Sequence, residues 1–305
     1  MNEKSFTVEW NPLKWDGSEK SIKESRMFKT RLLSGILLVI VALGTIIPGS
    51  YLLFGLILII SLIGFSELLR VFDADKTLLG ICGYLFAVLY FLNLRFGERV
   101  FGEYFLNPYI EPFEFIVLAY MVVLLTIMVF AFPRYQPKQV LVTFFGFFYV
   151  VVMLSFIYQV RMLPLGIFVV WLIFICAWGS DTFAYCAGLT LGKHKLAPKL
   201  SPKKSVEGAI GGVLGAALLG FLYALAINRF SQVNVGVMAF TAIGGIGSVI
   251  SQIGDLVASA FKRHYEVKDY GRFIPGHGGI LDRFDSVIFV SPVIFYLANI
   301  LSVGV

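Results

Sequence analysis

Charge is the scarcest ingredient of this sequence. Only 14% of its residues are Asp, Glu, Lys or Arg and 58% are apolar, whereas a soluble domain carries roughly 25% charged residues. With a mean hydropathy of +0.84 over 305 residues, a soluble enzyme and a disordered tail protein are both excluded. Cysteine is sparse too. Cys82, Cys176 and Cys186 lie in or at the ends of apolar stretches without C-x-x-C spacing, so neither a disulfide scaffold nor a thiolate metal site is expected. No tandem repeat of soluble type is present. No apolar stretch precedes residue 32, although a cleaved secretory signal carries its apolar stretch much nearer the start. Residues 1–31 therefore read as a retained polar cytoplasmic arm, either anchored at the headgroups by Trp10 and Trp15 or left as a disordered basic tail.

What fills the chain is a series of apolar runs, at about 32–48, 50–66, 77–94, 113–132, 139–160, 165–185, 206–228, 235–262 and 284–303. Each approaches the ~20 residues of a membrane span. All read as helices, because open strands leave their backbone unsatisfied in lipid and the alternation of a barrel strand is missing. Pro48-Gly49-Ser50, Asn107-Pro108 and the segment from Pro133 to Pro137 mark connections. Lys and Arg divide unevenly among alternate connections, 21 of 25 falling in the arm and in segments 67–76, 133–138, 186–205 and 262–283. The positive-inside rule puts those in the cytoplasm. The expected fold is an all-α polytopic integral membrane protein of about nine transmembrane helices, N-terminus in and C-terminus out. The net charge of +6 is scattered between apolar segments rather than along one surface, so no nucleic acid partner is expected.

Composition shifts near residue 160. Residues 32–160 read as transmembrane scaffold, whereas 161–305, with Asp181, Glu207, Asp255 and many glycines, read as a catalytic transmembrane region with cytoplasmic loops 186–205 and 262–283. A carboxylate near a span centre costs at least ~2.5 kcal/mol and calls for a reason. On a helix, Ser248, Ser251, Asp255, Ser259 and Lys262 fall within about 40° of one line, with Gln252 and Arg263 at its margin. Such a stripe is either a hydrogen-bonded packing seam or the wall of a wet site, and Asp255 with Lys262 favours the site.

Beyond it, Lys262, Arg263, Lys268, Arg272 and Arg283 supply positive charge, Gly276-His277-Gly278-Gly279 supplies a close-approaching backbone, and Asp282 and Asp285 follow at i, i+3. Each suits phosphate or its Mg2+. Singly, each is also what topology signals and ordinary turns provide. Together they stand as S-x-x-K-R-x-x-x-x-K-D-x-x-x-x-x-P-G-H-G-G-x-x-D-R-x-D from Ser259 through Asp285. That string closely resembles the C-terminal signature of the phosphatidate cytidylyltransferases, the CDP-diacylglycerol synthases. Gln252-Ile253-Gly254-Asp255-Leu256, Ser201-Pro202-Lys203-Lys204-Ser205-Val206-Glu207-Gly208 and Ser180-Asp181-Thr182-Phe183-Ala184-Tyr185 resemble further blocks of that family, so the likeness covers about the last 125 residues. The first half matches in hydropathy alone, and the arm is longer than the family pattern.

The resemblance implies a reaction in which CTP and phosphatidic acid give CDP-diacylglycerol and pyrophosphate. It implies Mg2+ with a second cation such as K+, a homodimer, and a bacterial inner membrane location with the active site facing the cytoplasm. Family analogy makes Asp255 and Asp282 the metal ligands. It makes Lys262, Arg263, His277 and Asp285 catalytic, with His277 either a base or a structural histidine and Asp285 a third ligand or a salt-bridge partner of Arg283. Substrate contacts are expected from Asp181, Ser201, Lys203, Lys204, Ser205, Glu207, Ser259, Lys268, Gly278, Gly279 and Arg283. A phosphate monoester has a second pKa near ~6, so the nucleophile is largely ionised at pH 7. It needs relief from anion repulsion more than a general base. Pro202 stiffens the approach to a helix that Ser205 can cap, with its N-terminal dipole toward an anion, and glycines 208, 211, 212 and 215 predict close helix contact.

Three other readings remain in view: a transferase acting on another lipid phosphate, a CTP-dependent lipid kinase, against which the full signature counts, and a secondary transporter with midplane charges. The D-G-x-x-A-R pattern of CDP-alcohol phosphotransferases is absent.

Overall fold

Every apolar run lying within the described residues forms a helix, as backbone satisfaction in lipid requires. The computed structural model describes residues 33–101, 112–276 and 278–301. The helices are α1 (Leu33–Ile46), α2 (Ser50–Val71), α3 (Leu78–Phe101), α4 (Pro112–Phe130), α5 (Pro137–Met162), α6 (Gly166–Leu191), α7 (Val206–Phe230), α8 (Val237–His264) and α9 (Leu281–Ile300). Among the described residues, α2 to α9 are the 8 helices long and apolar enough to cross a bilayer. The described part of α1 is shorter and rises only ~21 Å, against a hydrocarbon core of ~30 Å.

Several helix ends differ from the hydropathy boundaries. Helix α6 runs on to Leu191 and α8 to His264, while α9 starts at Leu281. The expected loops 186–205 and 262–283 are thereby trimmed to 192–205 and 265–280. Asp181 lies within α6, just after a π-helical turn over Ile175–Gly179. Such turns often occur at functional sites. The first loop also contains the hairpin of β1 (Lys195–Ala197) and β2 (Ser201–Ser205), which pairs Lys195 with Ser205 and Ala197 with Ser201. No alternation of apolar residues announces these short polar strands.

Helices α2 to α5 share an aromatic core around Tyr120, Phe65 and Phe147, all fully buried. Tyr120 donates to the Thr143 carbonyl at 3.2 Å, and Tyr90 and Ser155 share a hydrogen bond at 2.7 Å. Arg161 closes the turn after α1, donating through Nε to the Ile46 carbonyl at 2.8 Å and through Nη2 to that of Ile47 at 3.0 Å. In the second half α7 packs between α6 and α8, and α9 packs on α8 and α5. A side chain at Gly211 would collide with Ala187 of α6, so the glycine face of α7 permits the close approach its G-x-x-x-G spacing predicts.

Candidate active site

The polar stripe of α8 divides into two parts. At its deep end Ser248 shares a 2.6 Å hydrogen bond with Ser180 of α6, and Gln252 donates to the Ala209 carbonyl of α7 at 3.0 Å. Those residues are a packing seam. One turn further on, Asp255 lines an open cavity of about 570 Å³ with Asp181, Lys195, Lys203, Lys204 and Ser205. Both readings of the stripe thus hold, and they meet at Gln252, which packs on α7 and also lines the cavity.

The hairpin forms the basic wall of that cavity. Pairing of Lys195 with Ser205 fixes β2 over the helix ends, and alternation along the strand leaves Lys203 exposed while Lys204, half-buried, turns in. The Lys204 ammonium pairs with the Asp255 carboxylate. Ser205 accepts from the Gly208 N–H at 3.1 Å as the cap of α7. Ser201 pairs within the hairpin and does not line the cavity. Glu207 points away from it: its carboxylate accepts from the Lys193 N–H at 3.0 Å and meets His194 Nδ1 at 2.6 Å, tying the hairpin's base to α7.

The second acidic level is at the start of α9. Asp282 is 6% exposed, and its oxygens accept from Lys262 Nζ at 3.0 Å, the Tyr270 N–H at 2.8 Å and the Gly279 N–H at 3.0 Å. Tyr270, which nothing in the sequence reading singled out, is buried, donates to the Ala258 carbonyl at 3.0 Å and carries Lys262 5.4 Å above its ring. Burial pushes its phenol above the ordinary tyrosine range, so it stays a donor.

Glu67 of α2 was missed as well. It is 3% exposed and accepts from the Ile280 N–H at 3.1 Å and the Leu281 N–H at 2.8 Å, which caps α9 from the scaffold half. Read by hydropathy it is merely the first polar residue after a span. The signature glycines approach these two carboxylates: Gly278 has φ +89° and lies against Asp282, and a side chain at Gly279 would collide with Glu67. Their close approach, expected toward a ligand, is made to the protein's own acids.

Asp285, one turn beyond Asp282, accepts from the Ser286 N–H at 2.8 Å and lies within electrostatic reach of Asp255, Lys262 and Asp181. Asp181 in turn reaches Asp255, Lys204 and Arg283. Ser259 is half-buried on α8, whereas Arg263, Lys268 and Arg283 are exposed and have no ion pair with a described residue. His277, the N-terminal arm and the Asn107-Pro108 turn lie outside the described residues.

Among the described residues no three His, Cys, Asp or Glu side chains form a ready metal cage. Asp255 and Asp282 nevertheless offer hard oxygen donors, each facing an ammonium, that of Lys204 or Lys262. Mg2+ commonly takes one or two carboxylates and completes its shell from phosphates and water, so this donor set fits it.

Fold and site together define an integral membrane protein with a basic, carboxylate-floored cavity suited to a polyanion. Comparison with known proteins narrows the class. The model of the cytidylyltransferase family matches residues 29–301, and the chain belongs to that family, which makes it a nucleotidyltransferase. A phosphatidate cytidylyltransferase of Bacillus subtilis (strain 168) is 33% identical over 276 residues, covering 90% of this chain and 98% of that protein. One from Staphylococcus epidermidis (strain ATCC 12228 / FDA PCI 1200) is 33% identical over 267 residues, covering 87% and 97%. One from Staphylococcus aureus (strain COL) is 32% identical over 270 residues, again covering 87% and 97%.

Proposed function

We propose that the protein is a phosphatidate cytidylyltransferase, transferring a cytidylyl group from CTP to phosphatidic acid at the cytoplasmic side of the membrane. The observation that carries this reading is the cavity in which Lys195, Lys203 and Lys204 overhang Asp181 and Asp255, in a chain aligned nearly end to end with proteins of that name. An ionised oxygen of the lipid phosphate attacks the α-phosphorus of CTP. A new P–O bond forms there, the bond to the bridging α–β oxygen breaks, and pyrophosphate leaves.

Two anions must meet in this step, so the protein's task is charge neutralisation and alignment. Lys203 and Lys204 would hold the triphosphate, with the α7 N-terminus below them adding its positive dipole end. Lys262 and Arg263, at the α8 end, are assigned to the remaining phosphate charge. Tyr270 and Asp282 position Lys262, one beneath its ammonium and one bonded to it. Mg2+, when bound, would be held by Asp255 and Asp282 and would supply Lewis-acid neutralisation of the phosphates.

The test is incubation of purified protein with labelled CTP and phosphatidate. Label should move into the organic phase with release of pyrophosphate. Label left entirely in the aqueous phase would sink the reading.

A further inference from the structure

We propose that the apolar cavity between α1, α2, α5, α6 and α9 takes an acyl chain of an anionic phospholipid whose phosphate is received by Arg283 at the cavity wall. This rests on the function proposed above and specifies where the lipid substrate of that site lies. The cavity measures about 320 Å³, within the ~300–1,000 Å³ of ligand sites. Leu38 and Ala42 of α1, Ile57 of α2 and Ile157 of α5 form its sides. Of its side chains among the described residues, only Thr45, Trp178 and Arg283 carry a polar atom. The Thr45 hydroxyl is already spent on the Val41 carbonyl at 2.8 Å. A nucleoside, with many groups to satisfy, gains nothing in such a slot; a hydrocarbon chain does.

Arg283 decides what the chain is attached to. It is the cavity's one charged wall residue among those described, its side chain makes no hydrogen bond or ion pair with a described residue, and a guanidinium matches a phosphate monoester with two parallel hydrogen bonds. It also lies within electrostatic reach of Asp181, which lines the basic cavity. Trp178 and Asp181, one turn apart on α6, therefore line one cavity each. The dry slot and the basic cavity adjoin at the carboxylate cluster. A lipid with its tail beside Leu38 and its phosphate on Arg283 would present that phosphate next to a nucleotide under Lys203 and Lys204. A zwitterionic lipid, its phosphate bearing a bulky cationic ester, fits Arg283 less well.

The test uses purified full-length protein in phosphatidylcholine nanodiscs and a phosphatidate carrying a photoactivatable diazirine along one acyl chain, with labelled residues mapped by mass spectrometry. Label is expected on α1 and α2 around Leu38, Ala42 and Ile57. Excess unlabelled phosphatidate should reduce it about tenfold, excess phosphatidylcholine should not, and Arg283→Gln should abolish the difference. Label spread evenly over the lipid-facing residues of α3 and α4, or displaced equally by both lipids, would overturn the proposal. Ala42→Trp fills the slot and should remove the label; if that variant fails to fold, the competition on the unaltered protein still decides. Selective labelling without CDP-lipid formation would sink the function and leave the lipid site standing, whereas product formation without selective labelling would sink the lipid site alone.

Discussion

Glu67 and Asp282 accept backbone hydrogens from opposite sides of one loop, so the start of α9 is held by two acids 215 positions apart in the chain. Glu67→Gln keeps the shape but turns an amide N–H toward a donor. Leaving one buried N–H unpaired costs about 1–3 kcal/mol, and Glu67→Ala, which strands both, should cost more. Thermal unfolding in detergent checks the order, and an unaltered Tm in both variants would remove Glu67 as the cap of α9. Asp255→Asn tests a different role. Asp255 faces the cavity and supports little packing, so its variant should unfold normally yet lose nearly all CDP-lipid formation. Asp282→Asn should lose both activity and stability, because Asp282 carries Lys262 and two backbone N–H groups. Substantial activity in both Asn variants at limiting Mg2+ would remove the metal role.

At the scale of elements, the β1–β2 hairpin and the α6–α7 contact set the basic wall against the carboxylates. Lys204→Ala removes one charge-assisted contact, and kcat/KM should fall by on the order of 1.5–3 kcal/mol, about 10- to 150-fold. Steady-state kinetics in CTP and phosphatidate check it, and unchanged constants would return Lys204 to a topology signal. Gly211→Val acts through the helix contact instead. The added side chain meets Ala187, so α7 must tilt or slide, and overpacking of this kind costs roughly 1–3 kcal/mol. The hairpin moves with α7 through Glu207, so activity and thermal stability should fall together. Loss of neither would mean that the contact tolerates separation. The sequence makes this element half legible: the cap at Ser205 and the glycine spacing are local patterns. The hairpin is not, because its strands are short and polar and its register depends on where Val206 starts the helix.

For the whole molecule, the 21-to-4 division of basic residues predicts that the hairpin faces the cytoplasm and the connection between α7 and α8 faces outward. In a variant with Cys186, the exposed native thiol, replaced by Ser, an impermeant maleimide added to intact cells should label cysteine at Gln232 and spare cysteine at Lys199. The reverse pattern would invert the topology.

Hydropathy alone determined that the chain is a helical membrane protein, because a span must satisfy its own backbone and shed its charge over a stretch that any sequence displays. The signature string marked Lys262, Asp282 and Asp285, and the polar stripe of the preceding span marked Asp255, because each pattern is local to one helix end or its adjoining loop. Tertiary structure alone decided which acid each cation meets. Lys204 comes to Asp255 across 51 positions, and Glu67 reaches the α9 N-terminus from a helix the sequence reads as scaffold. It also decided that half of the α8 stripe is a seam, since Ser180 and the Ala209 carbonyl are brought to Ser248 and Gln252 by packing. Periodicity places a residue on a face, and only the neighbouring helices determine whether that face meets a hydrogen-bond partner or an open cavity.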